Sequence, residues 1–415
     1  MMKKHLRLAA LLLAGLLLFP LIMGMAACSK SGGDTVTLYV YNWGEYISDG
    51  SEDTLDVNEM FEEWYYETYG VKVEVNYSTY SSNESMYAKL SSGSVNYDVV
   101  VPSDYMIERM IAEDMLAELN FDNIPHIQNI DPAFFGDNAE FDYYDPHNKY
   151  AVPYMYGMIG IIYNTSMVAE DDPALGSWQL MWDERHAGNI LQFNNSRDAF
   201  GTAQYFLGLD VNAEDEAEWR LALEKLKEQK PVLQGYVMDE IFNKMENGSA
   251  AIAAYYAGDF LAMYENNEDL EFFYPAEGTN LYVDAMCIPK SSQNKEIAER
   301  YIDFMLTEEP AVANAEYTYY ASPNTVVRES EEYIEYMNTI KEGGYDLMYN
   351  TDAVHTTSYE NLGGAQLIML NELWEELKSD IEVGLPIYVI CAVILVILIG
   401  GGTFLGVRKR IRDKY

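Results

Sequence analysis

Basic residues are scarce in this sequence: its 415 residues include 26 Lys and Arg against 67 Asp and Glu, a formal net charge of −41. Binding the phosphates of a nucleic acid requires clustered positive charge, so nucleic acid is excluded as a partner. A strongly negative protein attracts cationic ligands. An acidic surface also keeps a protein soluble without any ligand, and the charge taken alone favours that simpler interpretation.

Cysteine and the common catalytic motifs are scarce as well. Of the three cysteines, only Cys287 lies between residues 29 and 384, so this part of the chain has no internal disulfide. There is no GxSxG, HExxH or P-loop motif, and no GxGxxG after a predicted strand. The acid-rich run 210–218 has Asp215 where a calcium-binding loop needs a glycine. We therefore expect no enzyme activity, no cofactor and no metal.

The N-terminal residues are typical of an export signal. Three basic residues precede an uncharged apolar run, which ends in "MAAC". This pattern predicts a bacterial lipoprotein signal peptide over residues 1–27, with Cys28 as the lipid-bearing N-terminus. An ordinary signal peptide with a nearby cysteine is the alternative. Residues 28–34 are predicted to form a linker to the first strand.

The C-terminal residues are typical of a membrane span. Residues 385–407 carry no charge, and as a helix they would be about 34 Å long, enough to cross a bilayer. The basic tail 408–415 is then placed in the cytoplasm by the positive-inside rule. Residues 29–384 are therefore expected outside the membrane, where 18 basic and 66 acidic residues give a net charge of −48.

Alternating strand and helix patterns predict an α/β fold. "TVTLYVYNW" is typical of a strand, "DTLDVNEMFEEWYYETYG" of an amphipathic helix and "VKVEVNYST" of the next strand. This order indicates mostly parallel sheets flanked by helices. An exported part of about 350 residues is too long for one ordinary core, so we expect two lobes.

Aromatic, hydroxyl and acidic residues follow several predicted strands, which is where α/β sheets bind their ligands. Tyr282 and Asp284 are two residues apart on a strand and therefore face the same side. A buried Asp284 needs a partner, and a bound ammonium would supply one. Any one of these residues could instead be structural, as for an acid such as Asp198 in a first helical turn. The residues predicted at this rim are Trp43, Tyr46, Ser103, Tyr105, Asp198, Tyr256, Asp259, Tyr282 and Asp284.

Several motifs occur in a recognisable order: "LYVYNWGEYI", "YSTYSSNESMYAKL", "YDVVVPSDYMIERM", "YYAGDF" and "NLYVDAMCIPK". They resemble the bacterial spermidine/putrescine-binding proteins of polyamine ABC transporters, over about residues 35–380. The resemblance implies a two-lobed periplasmic-binding-protein fold of type II that closes around its ligand. Lobe 1 is predicted at 35–151 and 277–325, and lobe 2 at 152–276 and 326–382.

The resemblance also implies roles for individual residues. It adds Tyr320 and Glu360 to the predicted ligand-binding set, with Glu360 placed where the family often has Gln. Asn195 stands where spermidine-binding members have a second acid, while Asp259 matches the amine partner of putrescine-binding members. Gly44 lacks the hydroxyl that is usual at its position. These departures favour a diamine over spermidine.

We therefore expect a membrane-anchored receptor that captures putrescine or spermidine outside the cell membrane and delivers it to an ABC permease. Aromatic faces would cover the methylenes and attract the cations, while carboxylates would accept the ammonium protons. Two alternatives stay open. One is a receptor for another cationic or small metabolite on the same fold, and the other is a glycosidase that uses paired carboxylates.

Overall fold

The computed structural model describes residues 35–51, 54–136 and 139–379. The predicted signal peptide, the lipidation site Cys28, the apolar segment 385–407 and the basic tail lie outside these residues. Within the described ranges, no helix combines the length and the apolar character needed to cross a membrane.

Ten strands form one sheet in the described part of the chain. They are β1 (Val36–Trp43), β2 (Val73–Tyr80), β3 (Val99–Val100), β4 (Ala151–Asn164), β5 (Ile190–Phe193), β6 (Leu233–Val237), β7 (Ile252–Tyr256), β8 (Leu270–Phe273), β9 (Thr279–Cys287) and β10 (Thr356–Thr357). The order of neighbouring strands is β2-β1-β3-β9-β4-β7-β5-β6, with β8 beside β4 and β10 beside β9.

Helices cover this sheet. The α-helices are α1 (Val57–Tyr69), α2 (Asn83–Ser91), α3 (Asp104–Ala112), α4 (Ser196–Leu207), α5 (Glu216–Gln229), α6 (Glu240–Glu246), α7 (Ala257–Asn266), α8 (Lys295–Met305), α9 (Glu308–Thr318), α10 (Thr325–Arg328), α11 (Glu331–Ile340), α12 (Gly344–Tyr349) and α13 (Gly363–Ser379). Short 3-10 helices span Phe121–Asn123, Pro125–Asn129, Trp178–Trp182, Glu184–His186, Lys230–Val232 and Thr351–Ala353.

The sheet is mixed. Strands β1, β2 and β3 are parallel to one another, and so are β5, β6 and β7. Between these two groups, β9 is antiparallel to both β3 and β4, and β4 is antiparallel to β7. The prediction of mostly parallel sheets is therefore correct for the outer strands and wrong for the centre, because hydrophobic periodicity identifies a strand without fixing its direction.

Strands β4 and β9 run through both halves of the sheet. The start of β4 pairs with the end of β9 beside Val100, and the end of β4 pairs with β7 and β8. Both strands are buried almost throughout, which explains their near-continuous apolar sequences. A Cβ on Gly157 of β4 would lie 2.6 Å from the Tyr282 hydroxyl, so this glycine gives the Tyr282 side chain its space. The predicted lobe boundaries at 151 and 277 fall at the start of β4 and just before β9.

A second apolar cluster holds three helices of the second half together. It consists of side chains from α4, α5 and α13 together with Ala213, which precedes α5, and we call it the α4–α5–α13 core. Its large, fully buried members are Phe200, Trp219, Leu226 and Leu377. Because Asp198 lies in the first turn of α4, the packing of this core helps to position the Asp198 carboxylate.

Candidate ligand-binding site

A cavity of about 720 Å³, including its open mouth, lies where the two halves of the sheet meet. Most of its lining residues lie at or just after the ends of β1, β6 and β7, at the starts of α2, α3, α4 and α7, and on β9. Ten of the eleven ligand-binding residues predicted from the sequence line it, namely Trp43, Tyr46, Ser103, Tyr105, Asp198, Tyr256, Asp259, Tyr282, Asp284 and Tyr320.

Asp284 is the most buried carboxylate of the cavity lining, with 4% of its surface exposed. The Tyr46 hydroxyl donates to its Oδ2 at 2.7 Å, while Oδ1 has no hydrogen-bond partner. Burial raises the pKa of this carboxyl to about 7, and the nearby Ser103 and Tyr46 hydroxyls offset part of the rise. A buried acceptor without a hydrogen bond costs free energy, so Oδ1 is available to accept a hydrogen bond from a ligand.

Asp198 is held at the start of α4. Asn195 caps the helix, accepting from the Asp198 amide at 2.8 Å and donating from its own amide group to Asp198 Oδ2 at 2.7 Å. The Tyr256 hydroxyl donates to the same oxygen at 2.7 Å. Burial raises the pKa of Asp198, and these two donors counteract it.

Glu84 brings a third carboxylate to this end of the cavity, from the first turn of α2. The Tyr105 hydroxyl donates to Glu84 Oε1 at 3.0 Å. Burial raises its pKa, and the charge of Asp198 adds to the rise. Asp198 likewise raises the pKa of Asp284. We call Glu84, Asp198 and Asp284 the inner acid group.

A further carboxylate, Asp104, lies behind the inner acid group and fixes the backbone of β9. It is fully buried and accepts from the Val283 amide at 3.1 Å and from the Tyr143 hydroxyl. Burial raises the pKa of Asp104 to about 7. Because Val283 directly precedes Asp284, this contact orients the Asp284 side chain without reaching the cavity.

The other end of the cavity is also acidic. Asp259 lies in the first turn of α7 and Asp239 at the start of α6, and both line the cavity. Burial raises the pKa of Asp259 to about 8; the Tyr320 hydroxyl lowers it, and the carboxylates of Asp239 and Glu45 raise it further. Both Asp239 and Asp259 also line a wide acidic groove that opens to solvent. We call Asp239 and Asp259 the outer acid group.

Aromatic rings connect the two acid groups. Tyr46 meets Tyr320 edge to face at 4.9 Å between ring centroids, and Tyr256 meets Tyr282 in the same way at 5.5 Å. Tyr282 lies on β9 two residues before Asp284 and lines the same cavity as Asp259. Burial raises the pKa of the Tyr282 hydroxyl, and the charges of Asp284 and Asp259 raise it further. Trp43 adds an indole whose Nε1 donates to the Val101 carbonyl at 2.9 Å.

The described cavity lining contains five carboxylates and no Lys, Arg or His. The Tyr282 and Tyr359 hydroxyls, like Asp284 Oδ1, are buried without a hydrogen-bond partner. The site therefore offers acceptors and negative charge to a guest that supplies N–H donors and positive charge. Its aromatic faces suit an apolar chain between such donors.

Residues 59–340 match the family model of the bacterial extracellular solute-binding proteins. The chain belongs to this family. The resemblance identified from the sequence motifs is thereby confirmed, and solute-binding proteins are transport proteins.

Curated relatives of this solute-binding protein are named for the polyamines spermidine and putrescine. The spermidine/putrescine-binding periplasmic protein of Salmonella typhimurium is 33% identical over 309 residues, covering 74% of this chain and 83% of the relative. The Escherichia coli K12 protein of the same name is 30% identical over 360 residues, covering 86% and 96%. A solved spermidine/putrescine ABC transporter substrate-binding protein from Streptococcus pneumoniae is 32% identical, with a TM-score of 0.63 over 83% of this chain and 98% of that one.

Glu360 of this solute-binding protein is exposed and lies outside the cavity lining. Its backbone amide donates to Asn212 Oδ1 at 2.9 Å, and its carbonyl accepts from Arg197. The neighbouring Tyr359 lines the cavity instead. The loop has no strand or helix periodicity, so no pattern distinguishes the inward residue from the outward one.

Nine lining residues were outside the predicted ligand-binding set, although the resemblance had compared Gly44 and Asn195 with ligand positions of the family. They are Gly44, Asn83, Glu84, Asn195, Met238, Asp239, Tyr255, Asn280 and Tyr359. Glu84 could have been predicted, because it lies in the first turn of the helix after β2, just as Ser103 precedes the helix after β3. Tyr255 lies on a strand next to Tyr256 and had no separate signal.

One group of potential metal ligands occurs in the described part of this solute-binding protein, away from the cavity. It consists of Asp172, Asp183 and His186. The Arg185 guanidinium bonds to both carboxylates, at 2.8 Å to Asp172. Because a guanidinium already balances this charge, we assign no metal to the group.

Proposed function

We propose that this solute-binding protein captures a polyamine in the cavity between its two lobes and delivers it to an ABC permease. The observation that carries the proposal is the distribution of charge: an acid group at each end, aromatic rings between them and no cation in the described lining. A polyamine has the complementary structure, with ammonium groups separated by methylenes. The names of the curated relatives support the same ligand class. We propose that the ligand leaves chemically unchanged.

In this arrangement one ammonium donates to Asp284 Oδ1 and approaches Asp198 in the inner acid group. The Tyr46 and Tyr282 rings cover the methylenes, each cation–π contact contributing roughly 0.5–2 kcal/mol. A second ammonium reaches Asp259 in the outer group. Because Asn195 provides an amide where a further acid would favour a third ammonium, the proposed preference is for a diamine such as putrescine.

Isothermal titration calorimetry of the purified full-length chain tests this function. We expect binding of putrescine and of spermidine, with putrescine tighter, and no heat with a neutral sugar. Comparing putrescine with n-butylamine, which has one ammonium, tests whether both acid groups are used. Absence of heat with every amine, or turnover of a glycoside, would contradict the proposal.

Affinity should rise with pH between about 6 and 8. In the free protein the raised pKa values of Asp284, about 7, and Asp259, about 8, keep these carboxyls partly protonated at neutral pH. Ammonium pairs with the ionised form, so binding at pH 7 should release about one proton. Titrations in buffers with different ionisation heats count that proton; identical heats in all buffers would contradict the assignment.

The same pKa values predict how the ligand-free protein responds to pH. A carboxyl with a raised pKa in the folded state binds protons more tightly there than in the unfolded chain. Its contribution to stability is therefore present at low pH and lost as the pH rises towards 7 and 8. Saturating putrescine should remove most of this loss, because the ammonium groups compensate the ionised carboxylates.

We also propose that the binding domain is held outside the cell membrane by a lipid on Cys28 and by the segment 385–407. Two anchors would keep the receptor near its permease and raise the effective concentration for docking. Membrane fractionation of Cys28→Ala and of a chain ending at residue 384 tests each anchor. Each single variant should remain in the membrane fraction, because one anchor is left. The double variant should be released, and its retention in the membrane fraction would contradict the proposal.

A further inference from the structure

We propose that Asp239 is a further ligand carboxylate, and that Gly44 controls its position by leaving the space that a side chain would occupy. The inference rests on the proposed function and concerns the outer end of the same cavity. It assigns a specificity role to a residue that no strand-end pattern predicted.

Asp239 and Gly44 approach each other from opposite halves of the molecule. Gly44 follows β1, and Asp239 follows β6. A Cβ built on Gly44 would lie 3.0 Å from Asp239 Oδ2 and 3.7 Å from its Cγ. The backbone of Gly44 is not in the left-handed region, so its conformation does not require glycine. What the glycine supplies is space for the carboxylate.

Capping of α6 does not explain where the Asp239 carboxylate lies. An Asp at a helix start usually accepts a hydrogen bond from a backbone amide of the first turn. Asp239 makes no such side-chain capping bond. Its carboxylate lines the cavity instead, next to Asp259 and on the side where Glu45 follows Gly44. No Lys or Arg of the described chain forms an ion pair with Asp239 or Asp259.

Neighbouring carboxylates without a cation repel one another, and an ammonium between them converts this repulsion into attraction. A primary ammonium has three N–H donors. It can therefore serve Asp239, Asp259 and the Tyr320 hydroxyl at once, whereas a hydroxyl or an amide would leave charge uncompensated. The outer end of the cavity is thus built for a terminal primary amine, and the ligand class is a linear molecule with such an amine at this end.

Calorimetric titration of the full-length chain with putrescine tests the assignment. Asp239→Asn should weaken binding about tenfold, as expected when one charge-assisted hydrogen bond at a partly solvated position is lost. Gly44→Ala should weaken it by a similar factor, because its Cβ would lie 3.0 Å from Asp239 Oδ2 and displace the carboxylate. In the double variant the two losses should not multiply, since Gly44→Ala adds no polar group and acts through the carboxylate. Glu268→Gln, an exposed charge of the same lobe outside the cavity, should bind as the wild type does.

The results separate this inference from the proposed function. Wild-type binding with an unchanged Asp239→Asn variant would overturn the inference and leave the proposed function standing. Failure of the wild type to bind any amine would overturn the proposed function itself. Multiplicative losses in the double variant would overturn the part assigned to Gly44. Unchanged thermal midpoints, expected because Asp239 is exposed, exclude misfolding as the cause of a loss.

Discussion

Asp284→Asn is expected to weaken putrescine binding by about 2–5 kcal/mol, roughly a 30- to 4,000-fold rise in Kd. The carboxylate is 4% exposed, and its Oδ1 has no partner in the protein. The substitution keeps the shape of the side chain but removes the charge that would pair with a desolvated ammonium. The Tyr46 hydroxyl retains an acceptor if the amide oxygen takes the place of Oδ2, so folding should be little affected.

Glu360→Gln is the matched control for this substitution. It also replaces a carboxylate by an amide, at a residue that the family resemblance placed in the site and that the structure places outside the cavity lining. Putrescine affinity should change by less than about twofold, because an exposed charge contributes little. Loss of binding in Glu360→Gln, together with unchanged binding in Asp284→Asn, would contradict the site described above.

Most of the cavity-lining residues that the sequence predicted lie at or near the ends of strands. Trp43 ends β1, Tyr256 ends β7, and Asp284 lies on a strand two residues from Tyr282. The periodicity of a strand fixes which side chains share a face, and the strand order of an α/β sheet brings its ends together. Both rules apply without any knowledge of how the loops are oriented.

The residues that were missed depend on contacts between distant parts of the chain. Asp239 stands before a short helix, and its relevance comes from a glycine almost two hundred residues earlier in the sequence. The direction of β4 and β9 likewise depends on pairing that no local pattern encodes. Glu360 was placed by resemblance alone, and the resemblance could not distinguish it from the adjacent Tyr359.

Trp219→Ala is expected to lower the free energy of unfolding by about 3–5 kcal/mol, the usual cost of removing a large buried aromatic side chain. Trp219 is fully buried in the α4–α5–α13 core. Its ring lies 5.8 Å from that of Phe200, and its Nε1 donates to the Ala213 carbonyl at 2.8 Å. Trp219→Phe keeps most of the ring volume and loses only the donor, so it should lose clearly less stability. Urea unfolding followed by circular dichroism measures both; a loss below about 1 kcal/mol in Trp219→Ala would contradict the packing.

Putrescine should restore most of the stability that Trp219→Ala removes. A ligand that binds only the folded state at 1,000 times its Kd adds about 4 kcal/mol, which is comparable to the loss. In Asp284→Asn/Trp219→Ala the same putrescine concentration should restore at least about 2 kcal/mol less, because the Kd is at least about 30-fold higher. Equal rescue of the single and double variants would show that putrescine stabilises the protein without using Asp284. If putrescine restores stability to Trp219→Ala but not to the double variant, the stabilisation depends on Asp284. Ligand binding at the inner acid group would then be coupled to the same folding equilibrium that the α4–α5–α13 core stabilises.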